Sequence, residues 1–118
     1  MGLHTNFEVK ENVLIVRLQG EIDHHEAKQL REEWQDHMTL HNIQHVIVNV
    51  EKVSFMDSSG IGVLLGRYKE VAQVGGEMVI CSITEPIKRI FDLSGLFKII
   101  RLQEDEEDAL STLGVAAS

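Results

Sequence analysis

A chain of 118 residues with 43% hydrophobic content has room for one domain around a single ordinary core, and is short for an enzyme with separate cofactor and substrate domains. Its 19 acidic residues against 11 basic ones give a formal net charge of -8, which opposes a phosphate backbone at long range and argues against nucleic acid as a partner. No apolar run approaches the ~20 residues needed to span a bilayer, the opening MGLHTNFEVK lacks the apolar centre of a secretory leader, and a lone Cys81 gives no disulfide framework, so the expectation is a cytoplasmic protein with no membrane partner.

The apolar residues Phe7, Val9, Leu14, Val16 and Leu18 alternate and break at Glu11 and Asn12, which predicts two strands in a hairpin that Gly20 ends. Beyond Asp23, a candidate N-cap, Ala27, Leu30, Trp34 and Met38 recur every three or four residues and predict an amphipathic helix. HVIVNV at 45–50 is a β-branched run of the kind found in a central strand covered on both faces, or parallel to its neighbours. After VSFMDSSG at 53–60, Ile61, Leu64, Leu65, Tyr68, Val71 and Ala72 return to helical spacing until Gly75 and Gly76. Met78 to Cys81 reads as a short strand in which Cys81 is a small buried hydrophobe. Thr84, Glu85 and Pro86 open a third helix with Ile87, Ile90 and Phe91 on its apolar face, closed by Gly95. Lys98 to Leu102 follows as a last strand. The acidic run Glu104 to Asp108 reads as the first turn of a final helix, where carboxylates complement the macrodipole.

The order is therefore ββαβαβαβα: an α/β fold in one domain over residues 1–118, with a mostly parallel mixed sheet of about five strands and four helices. In such sheets the functional crevice lies at the carboxyl ends of the strands. Three turns open there, at 20–23, 54–60 and 82–86, so Glu21, Asp23, Asp57, Ser58 and Thr84 are expected to share an acidic, hydroxyl-rich rim.

What the serines do is narrowed by spacing. A serine nucleophile needs a base and an oxyanion hole, but of the six histidines only His24 and His25 fall near the rim, and G-x-S-x-G is absent. Gly60, Gly62 and Gly66 are spaced one residue too long for the dinucleotide fingerprint and no Walker lysine is present, so these glycines read as a tight helix start and close packing. His37, His41 and His45 are spaced four apart, but the helix is expected to end before His45, and no nearby third ligand is evident, so no metal or other cofactor is expected. Helix capping explains one of Asp57, Ser58 and Ser59, not all three. A serine in the first turn of a helix is also a place where a phosphate meets unpaired N–H groups and the positive dipole end while repelling an acidic or apolar partner.

GEID at 20–23, VIVNV at 46–50 and above all FMDSSGIGVLLGRYK at 55–69 resemble the STAS domain of bacterial anti-sigma factor antagonists, in particular the sporulation branch of the sigma-F pathway, over essentially the whole chain. The resemblance implies a non-enzymatic partner-switching protein. Its unphosphorylated form binds an anti-sigma factor that is also a serine protein kinase and releases the sigma factor; phosphorylation of Ser58 ends the interaction and a PP2C-type phosphatase restores it. Asp57 then orients the loop or contacts the partner, and Ser59 and Gly60 complete the turn. Rim geometry adds Glu21, Asp23 and Ile61 as expected partner contacts, with Ile61 as the apolar centre of the interface if it is exposed rather than packed in the core. Acidic repulsion favours a monomer when free. The alternatives are an antagonist of a general-stress sigma pathway, or a small nucleotide-binding STAS domain using the rim as its pocket.

Overall fold

The computed structural model describes residues 2–116, so Met1, Ala117 and Ser118, which the expected domain of 1–118 includes, lie outside the described residues. The elements are β1 (Leu3–Lys10), β2 (Val13–Ile22), α1 (His24–Leu40), β3 (His45–Met56), α2 (Ser58–Gln73), β4 (Met78–Cys81), α3 (Glu85–Ser94), a 3-10 turn (Leu96–Lys98), β5 (Arg101–Gln103) and α4 (Glu106–Thr112). This is the expected order. The strands lie β1-β2-β3-β4-β5 in one mixed sheet, with β1 antiparallel to β2 and every other pairing parallel.

Alternation along β2 and β3 divides the core. Leu14, Val16, Val46, Val48 and Ile80 face α1, α2 and α3, whose Leu30, Trp34, Leu64, Val71, Ile87 and Phe91 are buried against them. Val13, Ile15, Ile47, Val79 and Cys81 face the other way, under Ala109 and Leu110 of α4. Full burial of each large apolar side chain contributes about 1.5–3 kcal/mol, which is why both periodicities in the sequence resolve into layers. Burial also pushes the Cys81 thiol up to about 11, as expected of a thiol held in the core.

Helices α1 and α2 are tied side by side. Gln35 Nε2 donates to Glu70 Oε2 at 2.7 Å, and the nearly buried Arg67 donates through Nε to Glu70 Oε1 at 2.7 Å. On the α4 side, Arg17 makes two 2.8 Å bonds to Glu106, which also accepts from Asn49 at 2.6 Å. Glu106 thus does more than complement a dipole: it anchors α4 across β2 and β3. The hydrogen bonds from Arg17 hold its carboxyl below the ordinary carboxylate range, against the opposing effect of burial.

Three boundaries differ from expectation. Gly20 does not end β2; it sits inside it with φ +106°, where any Cβ would collide with the Gly2 carbonyl oxygen, and opposite the step from Gly20 to Glu21 β3 bulges by one residue, Ser54. β3 continues past Val50 to Met56, so of the turn expected at 54–60 the first three residues are strand, the last three are helix, and only Asp57 links them. The last strand is shorter than expected. After the left-handed Gly95, hydrogen bonds from Lys98 and Ile100 close the 3-10 turn and bury Ile100, leaving only Arg101–Gln103 to pair with β4.

Candidate functional site

The site is built where β2 and β3 end together. The Asp57 N–H donates to the Ile22 carbonyl at 3.2 Å, joining the two strand ends directly. One residue later on each strand, the chain turns into a helix through an aspartate. Asp23 Oδ1 accepts from His25 and Glu26 N–H at 3.0 and 3.3 Å; Asp57 Oδ1 accepts from Ser59 and Gly60 N–H at 2.8 and 3.4 Å. Each cap is worth about 1 kcal/mol.

Gly60 makes the α2 turn tight. It is buried, and a Cβ there would stand 2.5 Å from Met56 Cγ and 2.9 Å from Ile22 Cγ2, so α2 begins in contact with the strand ends. Gly62 and Gly66 do not share this role: nothing lies within 4 Å of either missing Cβ. The turn leaves Ser58 exposed at the first position of α2, while Ser59 is half-buried and faces α1. The first-turn N–H groups are therefore not all free to receive a phosphate, because Asp57 already holds those of Ser59 and Gly60. A phosphate on Ser58 would sit beside this carboxylate, at the positive end of a 16-residue helix.

The other expected site residues are placed unevenly. Glu21 is half-buried on β2, opposite Phe55 on β3, and Asp23 is half-buried at its cap. Ile61 is half-buried and packs against the core below α2, so it is not a free apolar centre. The exposed large apolar side chain beside this turn is instead Phe55, 46% exposed near the end of β3. Its signal in the sequence was hidden: Val53 and Met56 are both buried, and the bulge beside Gly20 breaks the strict alternation that would have marked Phe55 as outward. Thr84 does not join the rim. β4 ends opposite Asn49, and β3 continues from there to Met56, seven residues or roughly 20 Å of extended chain beyond.

Other chemistries find little assembly here. Among the described residues no imidazole hydrogen-bonds to Ser58 or Ser59; His24 and His25 instead lie against each other, ring centroids 4.0 Å apart and planes tilted by 37°. His37 stacks between Phe7 at 4.3 Å and His41 at 5.9 Å, and His45 Nδ1 accepts from the Glu77 N–H. No group of three or more potential metal-ligating side chains occurs among the described residues, and none of their helices is long and apolar enough to cross a membrane.

Comparison with known proteins agrees with this geometry. An anti-sigma F factor antagonist of Paenibacillus polymyxa is 42% identical over 117 residues, covering 99% of this chain and all of that protein. An anti-sigma-B factor antagonist of Bacillus subtilis is 32% identical over 107 residues, covering 91% of this chain and 96% of the relative. The solved structure of the anti-sigma factor antagonist SpoIIAA in its unphosphorylated form superposes with a TM-score of 0.75 at 29% identity, covering 94% of this chain and 98% of that one. Its phosphorylated form, described as a Bacillus cell fate determinant, gives 0.74 at 32% identity, covering 93% and 99%. With the STAS domain model matching residues 4–109, the chain belongs to the STAS domain family.

Proposed function

We propose that this chain, as one STAS domain over residues 1–118, is an anti-sigma factor antagonist of the sporulation type. It acts in the cytoplasm as a monomer when free. Unphosphorylated, it binds an anti-sigma factor that is also a serine kinase and so releases the sigma factor. Phosphorylation of Ser58 ends the contact and a PP2C-type phosphatase resets it. The observation that carries this reading is the pairing of full-length similarity to an anti-sigma F factor antagonist with a serine that stands exposed, one residue after a capping aspartate, at a helix start.

The physical argument is electrostatic. A phosphoserine adds about -1.5 to -2 charges beside Asp57, Asp23 and Glu21 without requiring α2 to move, because Ser58 already points to solvent. A docking partner that must desolvate this turn then meets a charge that it cannot pair. Phe55 supplies the apolar contact, Glu21, Asp23 and Asp57 the polar ones, and Ser59, Gly60 and Ile61 hold the turn in shape. In this role the protein is a ligand and a substrate, not an enzyme.

The test is peptide mass spectrometry after incubation with purified anti-sigma F factor and ATP, on wild type, Ser58→Ala and Ser59→Ala. One phosphate on wild type and on Ser59→Ala, absent from Ser58→Ala, is the expected result. A phosphate retained by Ser58→Ala would refute Ser58 as the switch. The similarity to an anti-sigma-B factor antagonist supports a second reading, a general-stress pathway. Binding to anti-sigma-B factor in preference to anti-sigma F factor would establish that branch instead.

A further inference from the structure

In a chain of net charge -8, two neighbouring cations stand beside the turn that carries Ser58. Arg17, Arg67 and Arg101 are each ion-paired, whereas Lys28 and Arg31, like Lys52, Lys69, Lys88, Arg89 and Lys98, make neither an ion pair nor a side-chain hydrogen bond among the described residues, and both are exposed. They lie at i+4 and i+7 from His24, on one stripe of α1. That stripe faces α2, and with Ser59 and Gly62 it lines an open groove of about 400 Å³. The missing Cβ of Gly62 has nothing within 4 Å, so the groove is unfilled on the α2 side as well. The turn that carries Ser58 is therefore bordered by opposite charges: Glu21, Asp23 and Asp57 at the strand ends, and Lys28 and Arg31 along α1.

We propose that this α1–α2 groove is a docking surface for an acidic segment of the anti-sigma factor, so that the partner must match two signs of charge at once. The inference rests on the functional reading above and deepens it. A wholly acidic surface would accept many basic partners, whereas a bipolar one fixes register and rejects partners whose charges are reversed. It also gives phosphorylation a second effect. A phosphate on Ser58, next to Ser59 at the groove, competes with the incoming acidic segment for the same cations while repelling it.

The experiment is calorimetric titration of the unphosphorylated protein with purified anti-sigma F factor of Paenibacillus polymyxa, comparing wild type, K28E/R31E, the milder K28A/R31A, and R89E/K98E. The last pair imposes the same charge change on exposed residues of α3 and the turn that follows it. Unchanged far-UV circular dichroism and melting temperature identify the folded variants; if K28E/R31E is not among them, K28A/R31A carries the test. The expected result is Kd raised about tenfold or more in K28E/R31E, an intermediate rise in K28A/R31A, and a value within about threefold of wild type in R89E/K98E. Wild-type affinity in the folded stripe variants, or an equal loss in R89E/K98E, overturns the groove as a docking surface and leaves the functional reading standing. Failure of the wild type itself to bind overturns that reading and the inference with it.

Discussion

The starts of α1 and α2 are nearly the same object built twice. Both follow the end of a long parallel strand, both are capped by an aspartate, and both caps accept from the N–H groups two and three residues on. What differs is the residues between. In α1 they are His24 and His25, bulky rings tilted against each other, followed by Glu26; in α2 they are Ser58 and Ser59, followed by a glycine pressed against Met56 and Ile22. Capping by itself therefore does not make a switch. In the proposed function the α2 turn becomes one because Gly60 holds it tightly against the strand ends and leaves a small hydroxyl at the surface.

The largest test of this difference is charge at equivalent places. Ser58→Asp is expected to weaken binding to the anti-sigma factor by roughly 100-fold, about 2.7 kcal/mol, whereas His25→Asp in the first turn of α1 changes it by less than about threefold; titration calorimetry on both reads the contrast, and tight binding by Ser58→Asp would break it. Next comes packing. Gly60→Ala must displace Met56 and Ile22 and is expected to cost about 1–3 kcal/mol, while Glu26→Ala, at the matching third position of α1, costs less than about 0.5 kcal/mol; urea unfolding measures both. Equal effects would show that the two turns are equally loose.

The caps themselves should be alike. Asp23→Ala and Asp57→Ala are each expected to lose about 1 kcal/mol of stability, and a large gap between them in the same urea experiment would mean that one aspartate has a further structural role. The smallest effect sharpens the comparison with the third aspartate-capped helix, α4, where Asp105 accepts from the Asp108 N–H and the first-turn acid Glu106 is clamped by Arg17. Because that clamp depresses the carboxyl in the folded state, its stabilisation is present above the ordinary value of 4.5 and is lost as pH falls through the lower folded value. Glu106→Gln should therefore melt lower than wild type at neutral pH, with the gap narrowing in acid. A gap that is constant with pH would rule the clamp out as its source.

Much of this was legible in the chain. Strand and helix periods gave the nine principal elements of the described residues in order, and Asp23 announced its cap because a short acidic side chain before an apolar 3.6-residue pattern has few other local uses; for α2 the chain narrowed the cap to one of Asp57, Ser58 and Ser59, and the structure assigns it to Asp57. Contacts made at a distance were not legible. The clamp between Arg17 and Glu106 spans 89 residues, and the basic stripe of Lys28 and Arg31 is recognisable as a groove wall only when α1 is seen beside α2.

By itself, then, the sequence determined the layered α/β order, the capped turn and the serine pair, because each follows from local period and backbone chemistry. Only the tertiary structure decided which serine is exposed, that Ile61 packs inward while Phe55 faces out, that Thr84 stands apart from the rim, and that the rim has a basic border. The reason is physical: exposure and charge neighbourhood depend on register between strands and on which helix lies alongside. Here the extra residues that β3 inserts opposite β2, one of them Ser54 beside Gly20, and a β3 that outruns β4 set both.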